Sequence, residues 1–197
     1  MTTSHYHSLV TLVVLVAASL VGSVFLIPAH KAAAHEAPAS VSAKPLTQRA
    51  PFDGSVSAQI RQELDGLEPH VINVEDASNL VVVQFTIQPG AVFPWHTHPG
   101  MVLINVTQGE LVFVFAEDCR QRPYPAGSAL IDPGNTVHTA FNPGAAEKTV
   151  VIATLLGAPE EGPLMLPVES EENVALDEQC GIERDGEDRL AGVDRAR

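Results

Sequence analysis

Apolar positions along the chain fall into three patterns. Residues 9–27 carry no charge, and only Thr11, Ser19, Gly22 and Ser23 dilute them. A helix over this run is apolar on every face and about long enough to cross a hydrocarbon layer, which takes roughly 20 residues. Residues 28–51 lose the pattern. Pro28, Pro38, Pro45 and Pro51 are scattered among Ala and Ser, which predicts a flexible tether. Val56, Ile60, Leu64 and Leu67 then fall at i, i+4, i+8 and i+11, with Ser55 ahead and Gly66 near the end. That spacing predicts a short helix packed on the domain.

From about His70 to Gly157 the period becomes that of β-strands. Residues 80–87, 92–98, 101–106, 111–116, 129–132, 137–141 and 149–156 read as short strands, several ending at one of four Pro-Gly pairs. Such pairs suit turns in which proline presets one φ and glycine accepts a positive one. Thr107-Gln108-Gly109-Glu110 reads as a hairpin turn between two of these strands. No helix long enough for a parallel crossover lies among them, so the pattern predicts an all-β, antiparallel sandwich, jelly roll or small barrel. The organisation expected is residues 1–34 as targeting segment or anchor, 35–69 as linker and short helix, 70–158 as barrel and 159–197 as acidic tail.

Composition narrows the function classes. With 11 Lys plus Arg against 24 Asp plus Glu the net charge is −13, which argues against nucleic acid or anionic headgroups as partners. Fourteen Gly and fifteen Pro exclude a long helical bundle. Residues 159–197 hold twelve acidic residues and four arginines, so −8 of the total charge sits there, predicting a solvated, mobile tail in which only residues 164–168 lie along the barrel.

The amino-terminal run admits two readings. Ala32-Ala33-Ala34 supplies a small-residue site with cleavage before His35, as in a secretory signal, whereas the length of the run suits an uncleaved anchor. Both predict a protein secreted or anchored on the extracytoplasmic side, touching membrane only through residues 9–27. In such a compartment Cys119 and Cys180 are expected to form one disulfide that pins the tail to the barrel.

Three of the eight histidines lie where chemistry is expected. His96 and His98 alternate with Trp95 and Thr97, so in a strand both imidazoles project to one side while Trp95 faces the other, packing on the amino-terminal segment or another subunit. His138 opens a later strand. Two imidazoles from one strand and a third from a neighbour can close on one metal ion and leave positions open. A His-x-His pair alone is more often a solvated face. Asn142, Gln84 and Asn105 are candidates to orient an imidazole, and Asp132, just before Pro133-Gly134, reads as a turn cap rather than a ligand.

The surrounding spacing resembles the cupin superfamily. Gly90, five residues, His96-Thr97-His98 and Gly109 follow its first motif, with Val102 where that motif has glutamate. Gly127, Pro133, His138 and Asn142 follow its second, with Asn135 in place of a glycine. The resemblance implies a jelly-roll barrel with His96, His98 and His138 pointing into its mouth as ligands of a divalent transition metal, iron foremost, with manganese, zinc, nickel and copper as alternatives. Without the glutamate, the resemblance points to a neutral three-histidine centre like those of thiol and diketone-cleaving dioxygenases. A small-molecule dioxygenase is therefore the leading expectation. A non-catalytic small-ligand-binding module and a metal-dependent isomerase or lyase are the alternatives, and no catalytic residue beyond the ligands is identified. A homodimer is the default for the family.

Overall fold

A computed structural model describes residues 40–184. The expected signal or anchor and residues 185–197 of the tail lie outside the described residues. Within them no helix is long and apolar enough to cross a membrane. The elements run β1 (Val41–Pro45), β2 (Ala50–Pro51), β3 (Ala58–Gln62), β4 (His70–Val74), β5 (Asn79–Ile87), β6 (His96–Thr97) and β7 (Val102–Gln108). They continue with β8 (Glu110–Phe115), β9 (Arg122–Pro125), β10 (Ala129–Asp132), β11 (His138–Phe141), β12 (Thr149–Leu156), β13 (Leu166–Pro167) and α1 (Ser170–Cys180).

Two antiparallel sheets make the barrel. The first has the order β1-β5-β12-β7-β10, with β2 on the end of β5; the second has the order β13-β6-β11-β8-β9. Strict alternation in β5, β7 and β12 turns Val81, Val83, Ile87, Val102, Ile104, Val106, Val151, Ala153 and Leu155 inward. They meet Leu111, Phe113, Phe115 and Ala140 of the second sheet in one core. Each such large apolar side chain stabilises the fold by about 1.5–3 kcal/mol on full burial. Strand β8 is buried on both faces: Val112 and Val114 enter a second cluster with Val92, Trp95, Cys180 and Ile182 on the outside of the barrel.

The expected strands at 80–87, 111–116, 129–132, 137–141 and 149–156 form to within a residue or so at each end. Of the strand expected at 92–98 only His96–Thr97 forms, with Val92 in a single bridge to Phe141, and four further expectations need correction. Residues 107–110 do not close a hairpin. β7 pairs with β10 and β12, while β8 pairs with β9 and β11, so this turn passes the chain from one sheet to the other. Gly109 makes that corner at φ +70°, where a Cβ would lie 2.8 Å from the Lys148 carbonyl. Second, the tether is partly sheet. β1 pairs with β5 from Val41↔Ile87 to Pro45↔Val83, and β2 adds Ala50↔Leu80 and Pro51↔Asn79. Both prolines occupy strands at the sheet margin, where a missing N–H leaves no ladder bond broken.

Third, the stripe from Val56 to Leu67 is not helical. Ile60 pairs with Ile72 in the β3–β4 hairpin, and Leu64 and Leu67 pack on the barrel from the loop between them. A four-residue apolar spacing is compatible with either conformation, and cross-strand pairing decided it. Fourth, the tail is ordered through Arg184: β13 extends the second sheet and α1 lies over the outer cluster. Trp95 therefore packs against this carboxy-terminal helix, not against an amino-terminal segment or another subunit. Its indole Nε1–H donates to Asp177 at 2.9 Å and its backbone N–H to the Asn173 side chain at 2.8 Å. The expected Cys119–Cys180 disulfide is present, with Cα atoms 4.8 Å apart, and ties the end of α1 to the segment after β8.

Candidate metal centre

His96, His98 and His138 converge from two strands of the second sheet and the turn that follows one of them. His96 on β6 is the direct partner of His138 on β11, and His98 follows two residues later. All three are buried, and one ring nitrogen from each lies within 4.8 Å of the others. The ring centroids are 4.3–5.3 Å apart. The Phe113 ring stacks on His138 at 4.7 Å with planes 15° apart, so that imidazole is held between the core and its neighbours.

The other nitrogen of each ring is already engaged. Nδ1 of His96 faces the Pro94 carbonyl at 2.7 Å, Nδ1 of His98 the Leu164 carbonyl at 2.6 Å and Nδ1 of His138 the Thr136 carbonyl at 2.9 Å. A carbonyl only accepts, so each Nδ1 carries the proton and donates it. In a neutral ring Nε2 is then a bare lone pair, and the three lone pairs face the common space. Orientation by an outer hydrogen bond of this kind is how metal-ligating histidines are held. These backbone carbonyls do the work expected of Asn142, Gln84 and Asn105. Asn142 instead donates to the carbonyls of Ile87 and Glu147 and accepts from the Gly144 N–H, joining loops. Gln84 and Asn105 alternate with inward residues and project from the other face of the first sheet.

Burial keeps the rings neutral. His138 is lowered to about 3 by loss of solvent, against the raising effect of its Thr136 bond. His96 falls well below its ordinary value through burial and then through its two histidine neighbours; His98 falls through burial. Neutral imidazole is the form that binds transition metals.

The sequence reading missed what Asp132 adds. Its turn-capping role is present, since Oδ1 accepts the Gly134 N–H at 2.8 Å, and Gly134 takes φ +100° to make the turn. Oδ2, however, points at the histidines, 3.2 Å from Nε2 of His138 and 3.4 Å from Nε2 of His98. Asp132 is fully buried and Oδ2 has no hydrogen-bond partner. Burial pushes its carboxyl up to about 8, against the pull of the Gly134 N–H. The signal was in the chain: Asp132 is six residues before His138, at the end of a strand. Its pairing with β7, which aims it at the site, was not.

The space in front of these groups is a cavity of about 40 Å³ walled by Phe85, Phe93, Ile104, Phe113 and Val151, among other apolar side chains. That is room for a few water-sized groups. Three oriented neutral imidazoles fit a divalent transition metal, and a buried carboxyl oxygen without a partner lies against two of them.

The cupin domain family model matches residues 83–154. No curated protein matches the chain in sequence. Among solved structures, the chain is similar to the polyketide cyclase RemF of Streptomyces resistomycificus at 22% identity, covering 46% of this chain and 61% of that one with a TM-score of 0.39. It is similar to the DMSP lyase DddQ of Ruegeria pomeroyi at 18% identity, covering 45% of this chain and 43% of that one with a TM-score of 0.40. A cupin-like protein of Thermotoga maritima gives 25% identity, 49% and 72% coverage and a TM-score of 0.39. The chain thus spans less than two thirds of the first two, and likenesses this partial assign no activity.

Proposed function

Since residues 83–154 place this chain in the cupin superfamily, we propose that it is an exported metal-dependent oxygenase of small molecules, with His96, His98 and His138 as ligands. The observation that carries the reading is the triple Nδ1–H to carbonyl arrangement, which leaves three Nε2 lone pairs aimed at one point. The metal, when bound, supplies Lewis acidity and redox capacity toward dioxygen. The chain's own residues bind and orient it. Pro94, Leu164 and Thr136 set the ring tautomers, Phe113 holds His138, and the apolar wall excludes water. Apart from the histidines the side chains lining the cavity are apolar, and the one further acid, Asp132, stands behind them against His98 and His138. That apolar lining favours oxygenase chemistry, in which the metal activates dioxygen beside an apolar substrate, over an isomerase or lyase, which needs a base that faces the substrate. The same wall suits a substrate that is apolar where it reacts and anchored by an anionic group such as a thiolate or enolate.

Export is supported by the apolar run at 9–27 and by the disulfide, a bond that persists in oxidising compartments. Two experiments test the reading. Metal analysis of protein purified without an affinity tag is expected to give stoichiometric iron, with oxygen uptake on adding small thiols or diketones. Sub-stoichiometric metal that His98→Ala leaves unchanged would refute it. The mature amino terminus is expected at His35 if the leader is cleaved.

A further inference from the structure

We propose that Asp132 is the fourth protein ligand of the metal, returning from a neighbouring strand the carboxylate that Val102 removes from the first motif. The inference rests on the metal-centre reading above and deepens it. β10 pairs antiparallel with β7, and in that register Asp132 stands directly opposite Val102. Directly paired residues put their side chains on the same face with Cβ atoms about 4.5–5.5 Å apart. A carboxylate lost at one position of the pair can therefore be replaced from the other with little displacement. Val102 is buried in the cavity wall, and the Asp132 carboxylate reaches the histidines beside it.

The atoms that meet there are of one kind. Nε2 of each histidine is left as an acceptor by its Nδ1 bond. Oδ2 of Asp132 is an acceptor with no donor to satisfy it, 3.2 and 3.4 Å from two of those nitrogens. An unpaired polar atom in the interior is costly. A cation that takes the place of the Asp132 acid proton meets the three Nε2 lone pairs and Oδ2 as its donors. The second oxygen fixes the aim: with Oδ1 bound to the Gly134 N–H, the carboxylate cannot rotate away and presents Oδ2 alone. The centre is then three histidines and one carboxylate, and a divalent ion in it keeps a net charge of about +1, enough to attract an anionic substrate group.

Asp132→Asn separates this role from the turn, because the amide oxygen still accepts the Gly134 N–H. Tag-free protein stripped of metal is titrated with Zn²⁺ against a chromophoric chelator. Wild type is expected to bind one ion per chain, and Asp132→Asn to bind it about 10–100-fold more weakly, at least the loss seen when outer partners of a ligand are removed. Melting of the stripped variant is expected at or above that of stripped wild type, while the rise in Tm on adding Zn²⁺ shrinks. Co²⁺-loaded protein is expected to show a changed visible spectrum in the variant. Should Asp132→Asn fail to fold, a crystal structure of Zn²⁺-loaded wild type decides, with Oδ2 expected at about 2.0–2.2 Å from the ion. Equal Zn²⁺ affinity in the two proteins, or Oδ2 outside bonding distance in the loaded wild type, overturns this inference and leaves the three-histidine centre standing. Absence of Zn²⁺, Co²⁺ and Fe²⁺ binding by wild type overturns both.

Discussion

The central strands of the second sheet, β8 and β11, are buried on both faces, and the two faces treat their polar atoms differently. On the outer face, beneath α1, polar groups are paired with one another. The Trp95 indole donates to Asp177, whose carboxylate also takes the Arg184 guanidinium, and that guanidinium reaches the Phe93 carbonyl at 2.9 Å. On the inner face three imidazoles and one carboxylate converge and leave Oδ2 of Asp132 without a partner. The inner groups are also the more deeply buried: the Asp132 side chain is 0% exposed against 15% for Asp177, so a missing partner costs most where it occurs. A network whose members satisfy each other stabilises a fold; one left open is arranged for a ligand. The difference separates structural from functional polarity on two sides of the same strands.

The largest effect that would break this contrast is on the inner face. His138→Ala is expected to abolish stoichiometric metal, read by elemental analysis, while the β signature in circular dichroism persists. On the outer face, Trp95→Ala is expected to destabilise the protein by about 3–5 kcal/mol in denaturant unfolding, as for other buried aromatic truncations. Its effect on stripped and metal-loaded protein should be similar in size. For Trp95→Ala, loss of metal without loss of stability would contradict this division of the two faces.

Smaller effects would sharpen it. Cys180→Ser, or reduction of the bond, opens a cross-link between residues 61 apart and is expected to cost up to about 4 kcal/mol, read as a drop in Tm. It should also weaken Zn²⁺ binding several-fold, because the segment leading into α1 supplies the Leu164 carbonyl that orients His98 and pairs Pro167 with His96. Smallest is Asp118→Asn. The Arg122 hydrogen bond holds the Asp118 carboxyl below its ordinary range, so its contribution is present above the unfolded carboxyl pKa and is lost as pH falls through the folded one. The variant is expected to flatten the acid limb of the stability–pH curve by under about 1 kcal/mol and leave metal affinity unchanged.

Several features were legible in the chain because they depend on neighbours in sequence. The strand at residues 149–156 reads correctly because alternation reports which side chains face inward. The cupin motif spacing identified His96, His98 and His138, and an even pair of cysteines anticipated the bond that joins residues 119 and 180. Other features were misread for reasons equally specific. β1 looked like a tether because Lys44 and Pro45 are not strand formers, and the edge of β5 orders them. The turn at Gly109 has the composition of a hairpin, yet its two strands go to different sheets.

By itself the sequence determined the long strands of the barrel, the histidine set, the acidic balance and the absence of glutamate at Val102. Tertiary structure decided that Asp132 stands across from Val102 and that the carboxy-terminal segment supplies a carbonyl to His98. It also decided that α1 covers Trp95. The reason is physical: spacing along a chain specifies which side a residue faces, whereas the atoms it meets there are set by strand register and by segments distant in sequence, which only the packed sheets bring together.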